Sequence, residues 1–420
     1  MIKGSQVYQV VEAMAPLYTS AALGYASVRW FRVFSSEQCA GINRFVALYA
    51  VPALIFEMVS TNDIYKMNGR LVAADTLQKV ALLLGLAAWA LWERSRCRER
   101  GGTKPWVSSP LQWVVTCCSV AALPNAIVIG VALLSGLYGP VAREFVKQIV
   151  IMQFCIWYNV VIFLYEYMAA ARRASSAPAP GGSARISPSP PVEAVAAENG
   201  AGSTNANGAS NIAAERPQEL AVNIENTELA TAAAPAARDG LPDGTATTTS
   251  EEVSAPAPSM KQVVWMAVKK VLQIPNTYAS LLGIFWALIS FKYGIVMPKI
   301  IADSLFTIRT TAVGLGMFSS GTFIARQSRL VPCGYKTASF AMILKFLVGP
   351  VAMLLASLAV GIHGTFLRIV VVQAALPLSL TSFVYAEEYK VYPDIMSTGV
   401  ILAMFISLPV AILYSILLEL

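Results

Sequence analysis

The chain has 420 residues, of which 56% are hydrophobic and only 13% charged. Soluble domains carry about a quarter charged residues, so an ordinary soluble enzyme is excluded and a polytopic membrane protein is indicated. Six cysteines (Cys39, Cys97, Cys117, Cys118, Cys155 and Cys333) show no C-x-x-C spacing, and the single histidine, His363, cannot supply a zinc site or a Ser-His triad. No metal, no cofactor and no enzymatic chemistry are expected.

The charge is unevenly spread. Between Ala174 and Pro258 there are ten acids, three arginines, no lysine and no aromatic residue, a local charge of −7 that leaves +14 on the rest. This Ala/Pro/Ser/Thr-rich stretch cannot bury enough apolar area to offset its ordering entropy. Three parts are therefore expected: a helical membrane half over 1–173, a disordered cytosolic linker over 174–258, and a second membrane half over 259–420.

A spanning helix needs about 20 mostly apolar residues. In chain order the candidates are 7–28, 41–60, 71–92, 110–136 and 145–168, then 275–292, 298–322, 337–360, 367–388 and 394–418. That makes an all-α membrane protein of ten transmembrane helices. Glu12 interrupts the first apolar run and no small-residue cleavage site follows, so no cleavable signal is expected. Basic residues orient the array: Arg29 and Arg32, then Arg94, Arg96, Arg98, Arg100 and Lys104, then Arg172 and Arg173, then Arg326, Arg329 and Lys336. By the positive-inside rule these segments and the linker are cytosolic, with both termini on the other side. Lys66 and Arg70 oppose this weakly.

Five helices per half is an odd number, so the second half must enter the membrane inverted. The tetrapeptide Ala-Ala-Leu-Pro ends at Pro124 in the fourth expected helix and at Pro377 in the ninth, and Lys79 and Lys345 fall at similar depth in the third and eighth. Inverted repeats with helices interrupted at matching places belong to secondary transporters whose site lies near the midplane. Proline removes a backbone donor and clashes with the preceding turn. In hydrocarbon the freed groups must find protein or water partners. Two broken helices crossing there would offer half-helix N-termini to an anion, and Asn125 places an amide at the first break.

Asp75 and Lys79, spaced i, i+4, share one face within ion-pair reach and are read either as a tuning or proton-binding pair or as a structural ion pair. Lys345 has no acid four residues upstream. Glu57 and Glu166, near helix ends, are expected at the interface. Asn43, Asn159 and Asn276 are expected to bond between helices. Trp157 and Tyr158 read more readily as interface anchors or packing than as a substrate cage.

The stretches VEAMAPLY, GINRFVALYAVP, AADTLQKV, ALPN, IPNTYASLLG, VQAALP and PDIMSTGVI resemble the plant PIN-FORMED auxin efflux carriers, in family order over about 330 residues outside the linker. The resemblance implies a ten-helix inverted-repeat fold similar to bile acid symporters and sodium/proton antiporters, and a homodimer. It implies export of the indole-3-acetate anion. It further implies a substrate pocket of Val51, Asn125, Tyr158, Asn276, Pro377 and Leu380, a helix crossover at Pro124 and Pro377, and a supporting polar pair, Asp75 and Lys79. The chain departs from the family after Pro377, where Leu378-Ser379-Leu380-Thr381-Ser382 replaces a common Gln-Gly-Ile-Val-Pro, and at Ile55, where many members carry a small hydroxyl residue. Kinases acting on the linker are a further implied partner class, although this linker is shorter than in long-loop members and lacks their repeated Thr-Pro-Arg-x-Ser motif.

The expected function is an alternating-access auxin carrier of the plasma membrane, rather than the endoplasmic reticulum, working by voltage-driven uniport. Its partners are indole-3-acetate, membrane lipid and a second copy of the chain, with no nucleic acid. Two alternatives stand beside it: a proton- or sodium-coupled organic-anion carrier using Asp75, and a membrane scaffold or receptor acting through its linker.

Overall fold

The computed structural model describes residues 4–99, 109–176 and 260–419. The expected linker, and Arg98, Arg100 and Lys104 among the orienting cations, lie outside the described residues or outside those whose side chains are described. Residues Met1–Arg173 and Pro258–Leu420 belong to one compact unit.

Sixteen α-helices occur among the described residues. They are α1 (Gly4–Arg29), α2 (Ser36–Phe45), α3 (Val51–Ser60), α4 (Gly69–Glu99), α5 (Pro110–Ala122), α6 (Val131–Tyr138), α7 (Pro140–Met152) and α8 (Tyr158–Ser176). After the linker come α9 (Met260–Leu272), α10 (Pro275–Tyr293), α11 (Lys299–Arg326), α12 (Tyr335–Ile343), α13 (Gly349–Ala359), α14 (Gly364–Ala374), α15 (Leu380–Glu388) and α16 (Pro393–Leu417). Among the described residues, three π-helical turns join neighbours into longer rods, Val46–Ala50, Gln153–Trp157 and Leu344–Val348, and a fourth, Ala126–Gly130, extends α6 at its start. Local chemistry sets several ends. Ser35 and Gln38 form a reciprocal capping box that starts α2, and Gly294, at φ 68°, stops α10 in the left-handed region.

Among the described residues, six continuous helices are long and apolar enough to cross a bilayer: Ser36–Ser60, Gly69–Arg96, Pro140–Arg172, Lys299–Arg326, Tyr335–Ala359 and Pro393–Leu417. Helix α10 meets the same test together with α9, from which it bends by 72°. The expected fourth and ninth spans are each two shorter helices, broken at Leu123–Asn125 and at Ala375–Ser379. The chain is thus an all-helical membrane protein.

Segments from before and after the linker interleave. Helix α1 lies along α11, α10 along α3, and α4 between α5 and α13. Small residues permit the closest approach: a Cβ on Gly321 would stand 1.9 Å from the carbonyl oxygen of Ala21, and one on Gly24 2.1 Å from that of Phe318. In lipid, where tails are as apolar as side chains, such backbone proximity is a principal source of helix association.

Two π turns share a cause. Val46–Ala50 precedes Pro52 and Leu344–Val348 precedes Pro350, each with one residue between. A proline inside a helix lacks the N–H for the preceding turn and crowds its carbonyl, and a locally widened turn relieves both.

Candidate functional site

The two breaks meet. Pro124 and Leu378 face each other as an isolated antiparallel bridge. The Asn125 N–H donates to the Pro377 carbonyl at 2.7 Å, and the Ser379 N–H donates to the Leu123 carbonyl at 3.3 Å. Peptide groups expected to face an anion are therefore spent on one another, as hydrocarbon burial demands. The Ala126 N–H turns back to the Pro124 carbonyl at 2.9 Å and the Ser382 N–H to the Ser379 carbonyl at 3.1 Å, so among the described residues the backbone donors still open at the crossing include those of Ile127, Val128, Leu380 and Thr381.

A cavity of about 10 Å³ sits at the crossing, room for about one water. Asn125 and Ile129 line it from the first break; Pro377, Leu378 and Leu380 line it from the second; Met317, Ser320, Val400 and Met404 close it from α11 and α16. The Asn125 side-chain amide makes no hydrogen bond among the described residues, so its donors and acceptor are open to the cavity. An aromatic acid does not fit unless the surrounding helices separate.

Of the six pocket residues expected, Asn125, Pro377 and Leu380 are brought together here. Tyr158 lies beside them, buried, its hydroxyl 3.4 Å from Gln153 Nε2 and 3.5 Å from Ser382 Oγ. Its ring is 6.4 Å from that of Tyr385, and Asn276 neighbours the Tyr385 hydroxyl. Asn276 Oδ1 is buried without a partner. Val51 directly follows a π turn, half-buried against the core, and does not line the cavity.

The polar pair is fully engaged. Lys79 Nζ donates to Asp75 Oδ1, while Trp157 Nε1 donates to Asp75 Oδ2 at 3.1 Å and its ring lies 5.6 Å beneath the ammonium. Trp157 is buried, so it is no interface anchor. Between them, Gln78 Nε2 reaches the Gly349 carbonyl at 3.0 Å. Trp157 ends the π turn that Gln153 begins, and Gln153 Nε2 donates to the Pro124 carbonyl at 2.8 Å. One short segment thus links the ion pair to the crossover.

Sequence reasoning missed Gln153, although an amide in the apolar run IVIMQFCIW carries the same signal that singled out the asparagines. Glu166, near its helix end, is buried within the protein at 4% exposure. The carboxylate accepts from the Tyr389 hydroxyl and pairs with Lys270 at 2.8 Å. Glu57, half-exposed, pairs with Arg309 at 3.4 Å. Asn43 and Asn159 bond between helices as expected, accepting from Ser319 and, at 2.6 Å, from Thr277. Lys345 is fully buried with its Nζ unpartnered.

A family model described as membrane transport protein matches residues 9–415. Interrupted apolar helices that cross at a mostly apolar cavity holding one open amide accord with that class, and the chain is a membrane transport protein rather than an enzyme. Over the whole of both chains it is 70% identical to the probable auxin efflux carrier component 9 of Oryza sativa subsp. japonica and 34% identical to the auxin efflux carrier component 8 of Arabidopsis thaliana. It is also 34% identical to the probable component 5a of Oryza sativa subsp. japonica, over all of this chain and 99% of that one. The chain belongs to the auxin efflux carrier family.

Proposed function

We propose that this chain exports the indole-3-acetate anion from the cell by alternating access. The observation that carries the reading is the Pro124–Leu378 crossover, with the open amide of Asn125 at its cavity. The carboxylate is held by Asn125 and the first-turn N–H groups beside it, while Leu380 and Tyr158 receive the indole ring. Val51 and Asn276 join the pocket as the helices move apart. Asp75 and Lys79 act from behind, through Trp157 and Gln153, to fix the Pro124 carbonyl.

The fold proposed for this cycle is ten spans in two inverted five-helix repeats, Pro124 and Pro377 breaking the fourth and ninth, in a homodimer of the plasma membrane. The paired Ala-Ala-Leu-Pro breaks support the repeat. Termini outside and the linker, 174–258, in the cytosol follow from the basic segments, with the linker as a substrate for kinases.

Voltage suffices as the driving force. An anion leaving a negative-inside cell gains about 2.3 kcal/mol per 100 mV, so roughly −120 mV supports a concentration ratio of about a hundredfold. Both Asp75 oxygens already have donors, which favours uniport over a proton cycle on that carboxylate. The test is efflux of radiolabelled indole-3-acetate from vesicles holding the full chain, with voltage and pH gradient set independently. Flux that follows voltage supports the reading, flux that follows the proton gradient at fixed voltage replaces uniport by coupling, and no flux above empty vesicles removes the function.

A further inference from the structure

Helix α9 carries the chain from the end of the linker to the start of α10, and nothing in the transport reading uses it. Its text, MKQVVWMAVKKVL, holds three lysines and no acid. Helix period puts Val264, Trp265, Val268 and Leu272 on one face, and Trp265 is 69% exposed, Leu272 52%. Ala267 and Val271 turn inward and are buried. Lys261 and Lys269 bracket Trp265 one turn to either side, both exposed.

Two observations fix how this face is presented. The 72° bend between α9 and α10 lays α9 nearly in the bilayer plane if α10 crosses it. Lys270, on the side away from the apolar face, is pinned by Glu166 at 2.8 Å and stands 5.5 Å over the Tyr389 ring. That pairing locks the rotation of α9 about its axis. The apolar face then lies toward acyl chains, and Lys261 and Lys269 extend toward headgroups, as amphipathic basic helices at an interface do.

We propose that α9 is a lipid-binding helix, with Lys261, Trp265 and Lys269 forming a site for the headgroup of an anionic phospholipid in the leaflet on the linker side. Charge complementarity selects the occupant: two exposed ammonium groups within one turn of an interfacial indole, with no carboxylate on the helix to cancel them. A neutral lipid would satisfy the apolar face but leave both cations without a counter-charge.

The experiment uses the full chain in nanodiscs of mixed phosphatidylcholine and phosphatidylserine, with bromine on the acyl chains of one lipid at a time. The chain has eight tryptophans, so the Trp265 signal is isolated by difference against Trp265→Phe. At equal mole fraction, brominated phosphatidylserine should quench that signal roughly twofold or more beyond brominated phosphatidylcholine. The double variant Lys261→Gln, Lys269→Gln should keep the quenching but lose the preference. Equal quenching by both lipids in the unaltered chain would overturn headgroup selection, and absence of quenching by either would overturn the interfacial placement. A preference that survives the double variant would also overturn the assignment to these lysines. The readout needs no substrate, so it stands or falls independently of auxin transport.

Discussion

The break at Pro124 and the break at Pro377 share the preceding letters Ala-Ala-Leu and a single backbone pairing, yet the side chains around them differ. At the first, Asn125 opens an amide to the cavity, Gln153 holds the Pro124 carbonyl, and Trp157 leads on to a closed Asp75–Lys79 pair. At the second, buried Leu378 stands in place of an amide, and among the described residues Gln373 Nε2 has no partner and Lys345 is a buried amine without a counter-charge. Backbone crossing needs only two prolines and extended neighbours. Reception of an anion needs polar side chains, and those are concentrated on one side. The proposed substrate therefore enters the site oriented, carboxylate toward the first break and ring toward the second.

The largest effect should come from the two buried lysines. Asp75→Asn leaves Lys79 buried without its counter-charge and should cost about 3–5 kcal/mol. Lys345→Met removes an amine that already lacks a partner and should be neutral or stabilising. Thermal unfolding of both variants in one detergent measures the contrast, and a larger loss from Lys345→Met would reverse the comparison.

The orientation of the substrate is tested next. Asn125→Ala should weaken indole-3-acetate binding by about 1.5–3 kcal/mol, a loss of roughly ten- to hundredfold. It should leave binding of the neutral methyl ester nearly unchanged. Leu380→Ala should weaken acid and ester alike, because it removes apolar wall rather than a polar contact. Equal sensitivity of the ester to Asn125→Ala would mean that this amide does not read the carboxylate.

Much of this arrangement is legible in the sequence, for a physical reason. Bilayer thickness sets helix length, so apolar runs mark α4, α10, α11 and α16 to within a few residues at the membrane ends, and proline marks both breaks. What proline does not announce is its outcome. Pro124 and Pro377 end their helices, whereas Pro52 and Pro350 only widen theirs into π turns. Tertiary surroundings differ too: Gly349, beside Pro350, packs so closely that a Cβ would stand 2.4 Å from the Ala121 carbonyl oxygen, a contact that the sequence does not announce. The burial of Glu166 has a similar origin. Its distance from the helix end suggests water, but Lys270 and Tyr389 arrive from segments over a hundred residues away.

The buried glutamines beside the two breaks, Gln153 and Gln373, give a third contrast. Gln153→Leu strips the Pro124 carbonyl of its side-chain donor, leaving it the Ala126 N–H, and should lower stability by about 1–1.5 kcal/mol. Gln373→Leu removes an amide with an unpaired nitrogen and should change stability by less than about 1 kcal/mol. Unfolding temperatures that fall equally for both would show that the crossover draws no particular support from the first side.

Tyr158 is an expected pocket residue whose side chain reaches both sides, and its hydroxyl should matter least. The bonds it makes, 3.4 Å to Gln153 and 3.5 Å to Ser382, are at the long limit, where a hydrogen bond contributes little. Tyr158→Phe should therefore keep efflux within about twofold of the unaltered chain. The ring is another matter: it packs 4.9 Å from Phe154 and 6.4 Å from Tyr385, and Tyr158→Ala would open that wall of the proposed pocket. Efflux that falls as far with phenylalanine as with alanine would move Tyr158 from the apolar wall to the polar side of the site, and with it the line drawn between the two breaks.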